Sequence, residues 1–174
     1  MMFFHKERGF TLPLSSRAGF TLVEALVALT VLSIGLIGAY SAATSTLFLA
    51  TSLKNSMIAS GLAQEGTEVI RAIRDTNWFA EASFDTGLST GTYEVEWNSV
   101  PPLTNYQDRF LYRGSGGRYK YAVTPGGVLT IFKRKITVTN PGNGQDVTVV
   151  SEVTWKERQR DRIVRTESRL FNWK

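Results

Sequence analysis

From Ala25 to Leu53 the chain carries no charged residue, and between Ala25 and Ala39 only Thr30 and Ser33 have polar side chains. A helix needs roughly 20 apolar residues to cross a bilayer, so this run is long enough to span one. A single carboxylate, Glu24, stands about one turn inside its N-terminal end. A charge in that setting costs roughly 3 kcal/mol or more, and usually marks a function and a partner.

The flanks orient the run. Lys6, Arg8 and Arg17 precede it against one acid, Glu7, and the first charge beyond it is Lys54. The positive-inside rule then puts the N-terminus in the cytoplasm and the C-terminal part outside. Gly9-Phe10-Thr11-Leu12 echoes Gly19-Phe20-Thr21-Leu22, but the first copy continues with Pro13 and lacks a carboxylate. Proline would interrupt a helix there, which leaves the second copy as the candidate site. Small-residue sites at Ala39-Tyr40-Ser41 and Ser41-Ala42-Ala43 raise the alternative of an ordinary secretory signal. Glu24 inside the apolar region and the unbroken helical pattern beyond Ala43 speak against it. A plain signal-anchor with a snorkelling Glu24 is the other alternative.

Arg17-Ala18-Gly19-Phe20-Thr21-Leu22-Val23-Glu24 and the apolar helix after it resemble the N-terminal signal of type IV prepilins and type II secretion pseudopilins. The resemblance implies cleavage by a prepilin peptidase between Gly19 and Phe20 and N-methylation of Phe20. It also implies that Glu24 meets the N-terminal ammonium of a neighbouring subunit during assembly. It is closest from Arg17 to about Trp78. Val27-Ala28-Leu29-Thr30-Val31-Leu32-Ser33-Ile34-Gly35 and the stretch Gln64 to Trp78 look most like minor pilins related to the type IV pilus modification protein V. Elementary chemistry agrees with these roles. Glycine removes side-chain bulk at a scissile bond, and cleavage creates a cation that a carboxylate in a membrane otherwise lacks.

The three segments expected are a leader over 1–19, a membrane and assembly helix over 20–51, and an extracytoplasmic head over 52–174. Roughly a hundred residues remain for the head once leader and helix are removed, enough for one small core. The net charge is +5, of which the leader supplies +2, leaving +3 for a processed chain. That is too little to argue nucleic-acid binding by itself. There is no cysteine, which excludes disulfides, thiolate catalysis and cysteine-ligated metals.

Helical spacing continues past the apolar run. Leu53, Met57, Ile58, Leu62, Val69, Ile70 and Ile73 fall on one face, and Lys54, Gln64, Glu65, Glu68, Arg71 and Arg74 on the others. Pairs Glu68–Arg71 and Arg71–Asp75 offer ion-pair spacing. One helix is expected from Phe20 to about Asp75, stopping at Asp75-Thr76-Asn77, with Trp78 and Phe79 capping the core. Its weak points are Gly35, Gly38, Gly61 and Gly66, each up to about 1 kcal/mol worse than alanine in a helix. Gly35 and Gly38 suit close helix packing in lipid, while the resemblance implies local unwinding there on assembly.

From Ala80 the pattern turns to strands. Thr92–Trp97 and Arg118–Val123 alternate, Val128–Thr139 reads as one strand, and Val147, Val149, Val153 and Trp155 share a face. A loop over Lys156–Asp161 leads to a last strand with Val164, Thr166, Ser168 and Leu170 on one face. Turns are marked by Pro101-Pro102, Gly114-Ser115-Gly116-Gly117, Pro125-Gly126-Gly127 and Pro141-Gly142-Asn143-Gly144. The fold class expected is α+β, a long N-terminal helix packed on a C-terminal antiparallel sheet, which is the pilin-like layout.

Catalytic chemistry is not expected. The one histidine, His5, lies in the leader, so the usual nucleophile–base pairs and zinc sites have no parts. Glu94 and Glu96 fall at period two and read as a solvated strand face. Gly114–Gly117 lacks the Gly-Lys-Ser/Thr of a phosphate loop. No cofactor or metal is anticipated. From Lys156 to Lys174 there are seven cations against three acids. With Lys133, Arg134 and Lys135 nearby, and Tyr112, Tyr119, Tyr121, Trp155 and Trp173 as stacking groups, they allow DNA capture. The expected function is a structural subunit, a minor pilin of a type IV pilus-like filament. Its partners are other pilin subunits, the peptidase/methyltransferase and membrane lipid. The alternatives are a DNA-uptake pilin, a membrane-anchored adhesin that never polymerises, and a pseudopilin.

Overall fold

The computed structural model describes residues 19–123 and 125–173. Of the leader expected over 1–19 only Gly19 is described; Lys6, Arg8, Arg17 and His5 lie outside the described residues, as do Thr124 and Lys174. One helix, α1 (Leu22–Phe79), is followed by seven strands. These are β1 (Gly91–Glu94), β2 (Thr104–Asn105), β3 (Phe110–Arg113), β4 (Tyr119–Lys120), β5 (Val128–Thr139), β6 (Asp146–Glu157) and β7 (Arg160–Phe171). The fold is therefore α+β, a long apolar N-terminal helix and a C-terminal antiparallel sheet, in the pilin-like layout. The chain divides into two compact units, one ending at Leu47 and one covering Phe48–Lys174.

In the second unit β5 is the central strand. One of its edges takes β1 at Ile136–Val138 and β3 at Val128–Lys133, end to end. The other edge takes β6, which pairs with β7 over twelve residues in unbroken register. All pairings are antiparallel. Alternation turns Phe132, Arg134, Ile136 and Val138 of β5 inward, with Val147, Val149, Ser151, Val153 and Trp155 of β6. On β7, Val164, Thr166, Ser168 and Leu170 are the better covered residues.

Two apolar clusters fill the space between α1 and the sheet. Val69, Ile70 and Ile73 meet Ile136, Val138, Val147, Val149 and Leu170. Ala59, Leu62 and Ala63 meet Leu111, Tyr121, Phe132, Val153 and Trp155. The buried face of α1 thus departs from the expected one. Leu53 and Met57 are exposed, while Ala59, Ala63 and Gly66 are buried, because the sheet approaches too closely for large side chains. A Cβ on Gly66 would lie 2.5 Å from Ile136 Cδ1 and 2.6 Å from Ser151 Oγ, whereas one on Gly61 would meet nothing.

Other boundaries shift for identifiable reasons. The helix passes Asp75-Thr76-Asn77 because Asn77 does not stop it. Its Nδ2 donates to the carbonyls of Phe84 (3.1 Å) and Thr86 (2.9 Å), tying down the following loop. Trp78 packs on the first cluster, but Phe79 points to solvent and caps nothing. Arg71 pairs with Glu68 as expected. Asp75 is taken by Arg74 at 2.7 Å rather than by Arg71. Lys156–Asp161 is not a loop. Both residues are paired in the ladder, and a two-residue turn at Arg158 and Gln159, with φ of 46° and 64°, joins β6 to β7. Two positive φ values in a two-residue hairpin are the mirror-image turn that matches strand twist.

Candidate functional site

The helix start is built by Thr21. Its Oγ1 accepts the Glu24 N–H at 3.2 Å, and its carbonyl accepts the Ala25 N–H at 3.1 Å. Thr21 is therefore the N-cap, and Glu24 the third residue of α1. Thr21-Leu22-Val23-Glu24 has the spacing of a capping box, in which a Glu three residues past a Ser or Thr serves the helix start. A carboxylate in the first turn is also favoured by the helix dipole. That spacing can be seen in the sequence, and it is the Glu24 N–H that the Thr21 hydroxyl caps. Among the described residues no cation is paired with the Glu24 carboxylate. Gly19 has open space around its Cα, and Phe20 is exposed.

Beyond Glu24 the helix shows apolar side chains on every side. Exposure of the large apolar side chains runs from 56 % at Leu26 to 71 % at Tyr40, so no protein core in this unit covers them. An 18-residue window of α1 reaches a mean hydropathy of 2.2 with none of it buried. The hydroxyls of Thr30, Ser33, Thr44 and Thr46 in this stretch are satisfied within the helix. Thr30 donates to the Leu26 carbonyl (2.8 Å), Ser33 to that of Leu29 (2.7 Å), and Thr46 to that of Ala42 (3.0 Å). Inside hydrocarbon every polar group must find an internal partner, and here these do. The helix is continuous through Gly35 and Gly38.

A family model described as the prokaryotic N-terminal methylation motif matches residues 14–40. The chain carries the type IV pilin and pseudopilin signal. That signal implies processing by a prepilin peptidase and assembly with other pilins, and the apolar helix fits a membrane anchor. No curated protein and no solved structure matches the chain.

The head holds the remaining candidates, and it uses them differently from the sequence expectation. Glu94 is buried rather than solvated. It pairs with the Arg109 guanidinium and accepts the Gln107 N–H at 3.1 Å. Glu96 accepts the Tyr121 N–H at 2.7 Å. Glu94 fastens the approach to β3, and Glu96 the residue that follows β4.

Among the described residues of the basic cluster Arg134 alone is buried; Lys133, Lys135 and Arg169 are ion-paired at the surface, and Lys156, Arg158 and Arg160 are exposed at the β6–β7 turn. Arg134 is fully buried, donating to the carbonyls of Leu62 (3.0 Å) and Val95 and pairing with Glu65 at 3.0 Å. Lys133 pairs with Asp108 (2.6 Å), Lys135 with Glu152 (2.7 Å), and Arg169 with Asp146 (2.8 Å). Of the aromatics considered for stacking on bases, Tyr121 and Trp155 are core residues. Trp173 lies 4.4 Å from Trp78, with the Arg74 guanidinium 4.7 Å from its ring. Ion pairing and hydrogen bonds hold the carboxyls of Asp108 and Asp146 below their ordinary range, through Lys133 and Tyr106 in one case and Arg169 and Asn143 in the other. Burial raises the Tyr121 phenol.

Proposed function

We propose that this chain is a structural subunit, a minor pilin of a type IV pilus-like filament, and not an enzyme. The observation that carries the reading is the methylation motif joined to a capped, uniformly exposed apolar helix. In this reading a prepilin peptidase cuts between Gly19 and Phe20, and Phe20 is N-methylated. The cut leaves Thr21 and its cap in place, so the mature helix keeps its start. Glu24, a carboxylate at the head of an apolar helix, then pairs with the Phe20 ammonium of a neighbouring subunit. A carboxylate in low dielectric is tolerable when a cation neutralises it. The N-terminus stays on the cytoplasmic side before extrusion, and the head lies outside. The residues Val27–Gly35 and Gln64–Trp78 favour the minor pilins related to the type IV pilus modification protein V over other members.

The deciding experiment is the intact mass of the N-terminal peptide from protein in its native host. A chain beginning at Phe20 with one added methyl is expected. An uncut chain, or one starting near Ala42 to Thr44, would overturn the reading. Glu24→Gln is expected to insert in the membrane normally and to drop out of sheared filaments. Wild-type levels of the variant in filaments would remove the intersubunit role from Glu24.

A further inference from the structure

The tip of the β6–β7 hairpin is fastened to the first turns of α1 in the second unit. Glu157 accepts hydrogen bonds from Ser52 Oγ (2.9 Å) and Asn55 Nδ2 (3.3 Å), and Arg162 Nε lies 3.6 Å from the same carboxylate. The Arg158 guanidinium sits 3.6 Å over the ring of Phe48. Around this contact are five cations, Lys54, Lys156, Arg158, Arg160 and Arg162, against two acids, Glu157 and Asp161. Glu157 is buried and already satisfied. Lys54, Lys156 and Arg160 have no ion-pair partner among the described residues.

Phe48 follows Leu47 directly, so its depth is tied to that of the apolar run. Counting about 20 residues of hydrocarbon from Glu24 reaches Thr44. Phe48 comes four residues later, about 6 Å at the helical rise. The polar headgroup layer is roughly that thick. The cationic tip is therefore fixed to a residue at headgroup level.

We propose that the β6–β7 hairpin tip binds the headgroups of anionic phospholipids at the membrane surface from which α1 emerges. The inference rests on reading the apolar half of α1 as a membrane span. Guanidinium and ammonium groups pair with phosphate oxygens through charge-assisted hydrogen bonds. Each such cation beside an anionic leaflet strengthens attachment about fivefold at low salt.

The absence of cysteine makes a site-specific test direct. The full chain carrying Gln159→Cys is labelled at the tip with a fluorophore and reconstituted into phosphatidylcholine vesicles with or without phosphatidylglycerol. The vesicles contain a headgroup-attached quencher. Asn143→Cys, in the turn between β5 and β6, is the control position. Quenching at position 159 is expected to rise with the phosphatidylglycerol fraction, to fall in high salt, and to be absent at position 143. Lys156→Gln and Arg160→Gln remove cations that hold no partner, so the thermal melt should not change. Each should lower the apparent lipid affinity about fivefold. Equal quenching in the two lipids, or no response to the charge variants, would overturn the proposal. Flotation of the chain with vesicles in high salt reports the span separately. Flotation with lipid-independent quenching would sink the tip alone, and loss of flotation would sink the span as well.

Discussion

Flanked by Lys133 and Lys135, Arg134 reads as one of three strand cations, yet alternation turns it alone inward. It lies where the two apolar clusters meet and ties the Leu62 carbonyl of α1 and Glu65 to the Val95 carbonyl after β1. Removing one partner of a buried pair is expected to destabilise by about 3–5 kcal/mol. Arg134→Ala should therefore lower the urea midpoint severely. Lys135→Ala, at a half-exposed pair, should cost no more than about 1 kcal/mol. Arg134→Met should recover part of the loss, since Glu65 is already 34 % exposed and can turn to water. An Arg134→Ala midpoint no lower than that of Lys135→Ala would refute this assignment. Strand alternation puts Arg134 on the face opposite Lys133 and Lys135. What it could not give is that a buried charge depends on partners distant in the chain, here Glu65, 69 residues away. Glu94 escaped for the same reason, since its partner Arg109 arrives from the approach to β3. Thr21 differed, because its capping spacing lay in the open.

At the scale of elements, α1 and the three long strands were legible because each carries a sustained period. The alternation at Thr92–Trp97 and Arg118–Val123 marked β1 and β4, though longer than the strands that form, while β2 and β3 carried no pattern that was read. The β6–β7 turn escaped because Arg158 and Gln159 lack the Asn-Gly signature of a positive-φ hairpin. The glycines of α1 show how an element's propensity and its packing part company. Gly61 faces open space, so Gly61→Ala should stabilise the head by up to about 1 kcal/mol through helix propensity alone. At Gly66 the same change meets Ile136 and Ser151, and overpacking of that kind costs about 1–3 kcal/mol. Opposite shifts in the melting temperatures of the two variants are the expected result. Shifts of the same sign would show that the sheet can yield at Gly66.

For the molecule as a whole, acid should act through a few tethered carboxylates in the head. Asp85 is held low by hydrogen bonds from Ser83 and Asn140, Asp108 by Lys133 and Tyr106, and Asp146 by Arg169 and Asn143. Unfolded, each returns to about 3.9. A folded value below the unfolded one gives stability that is complete above the unfolded value and is lost as pH falls through the folded one. Melting temperature should then be flat from about pH 7 to 5 and decline below about pH 4. Asp146→Asn should melt lower at neutral pH and lose less on acidification. A decline as steep as that of the unaltered chain would remove Asp146 from the account. The sequence also made plain that a membrane-seeking segment precedes a folded head. It could not reveal how the head's own first helical turns are held, because the grip joins Ser52 and Asn55 to Glu157 across a hundred residues. That grip has a mechanical meaning. Along β6, Trp155 and Val153 lie in one cluster with Ala59 and Leu62, while Val149 and Val147 lie in the other with Ile70 and Ile73. The hairpin therefore runs lengthwise beside the helix. Tension applied to the chain at Phe48 is directed along the strands, where the ladder bonds lie crosswise to the pull. Held at its tip, the hairpin moves as one piece, so the seven residue pairs that join β6 to β5 resist together in shear, instead of opening one after another like a zip.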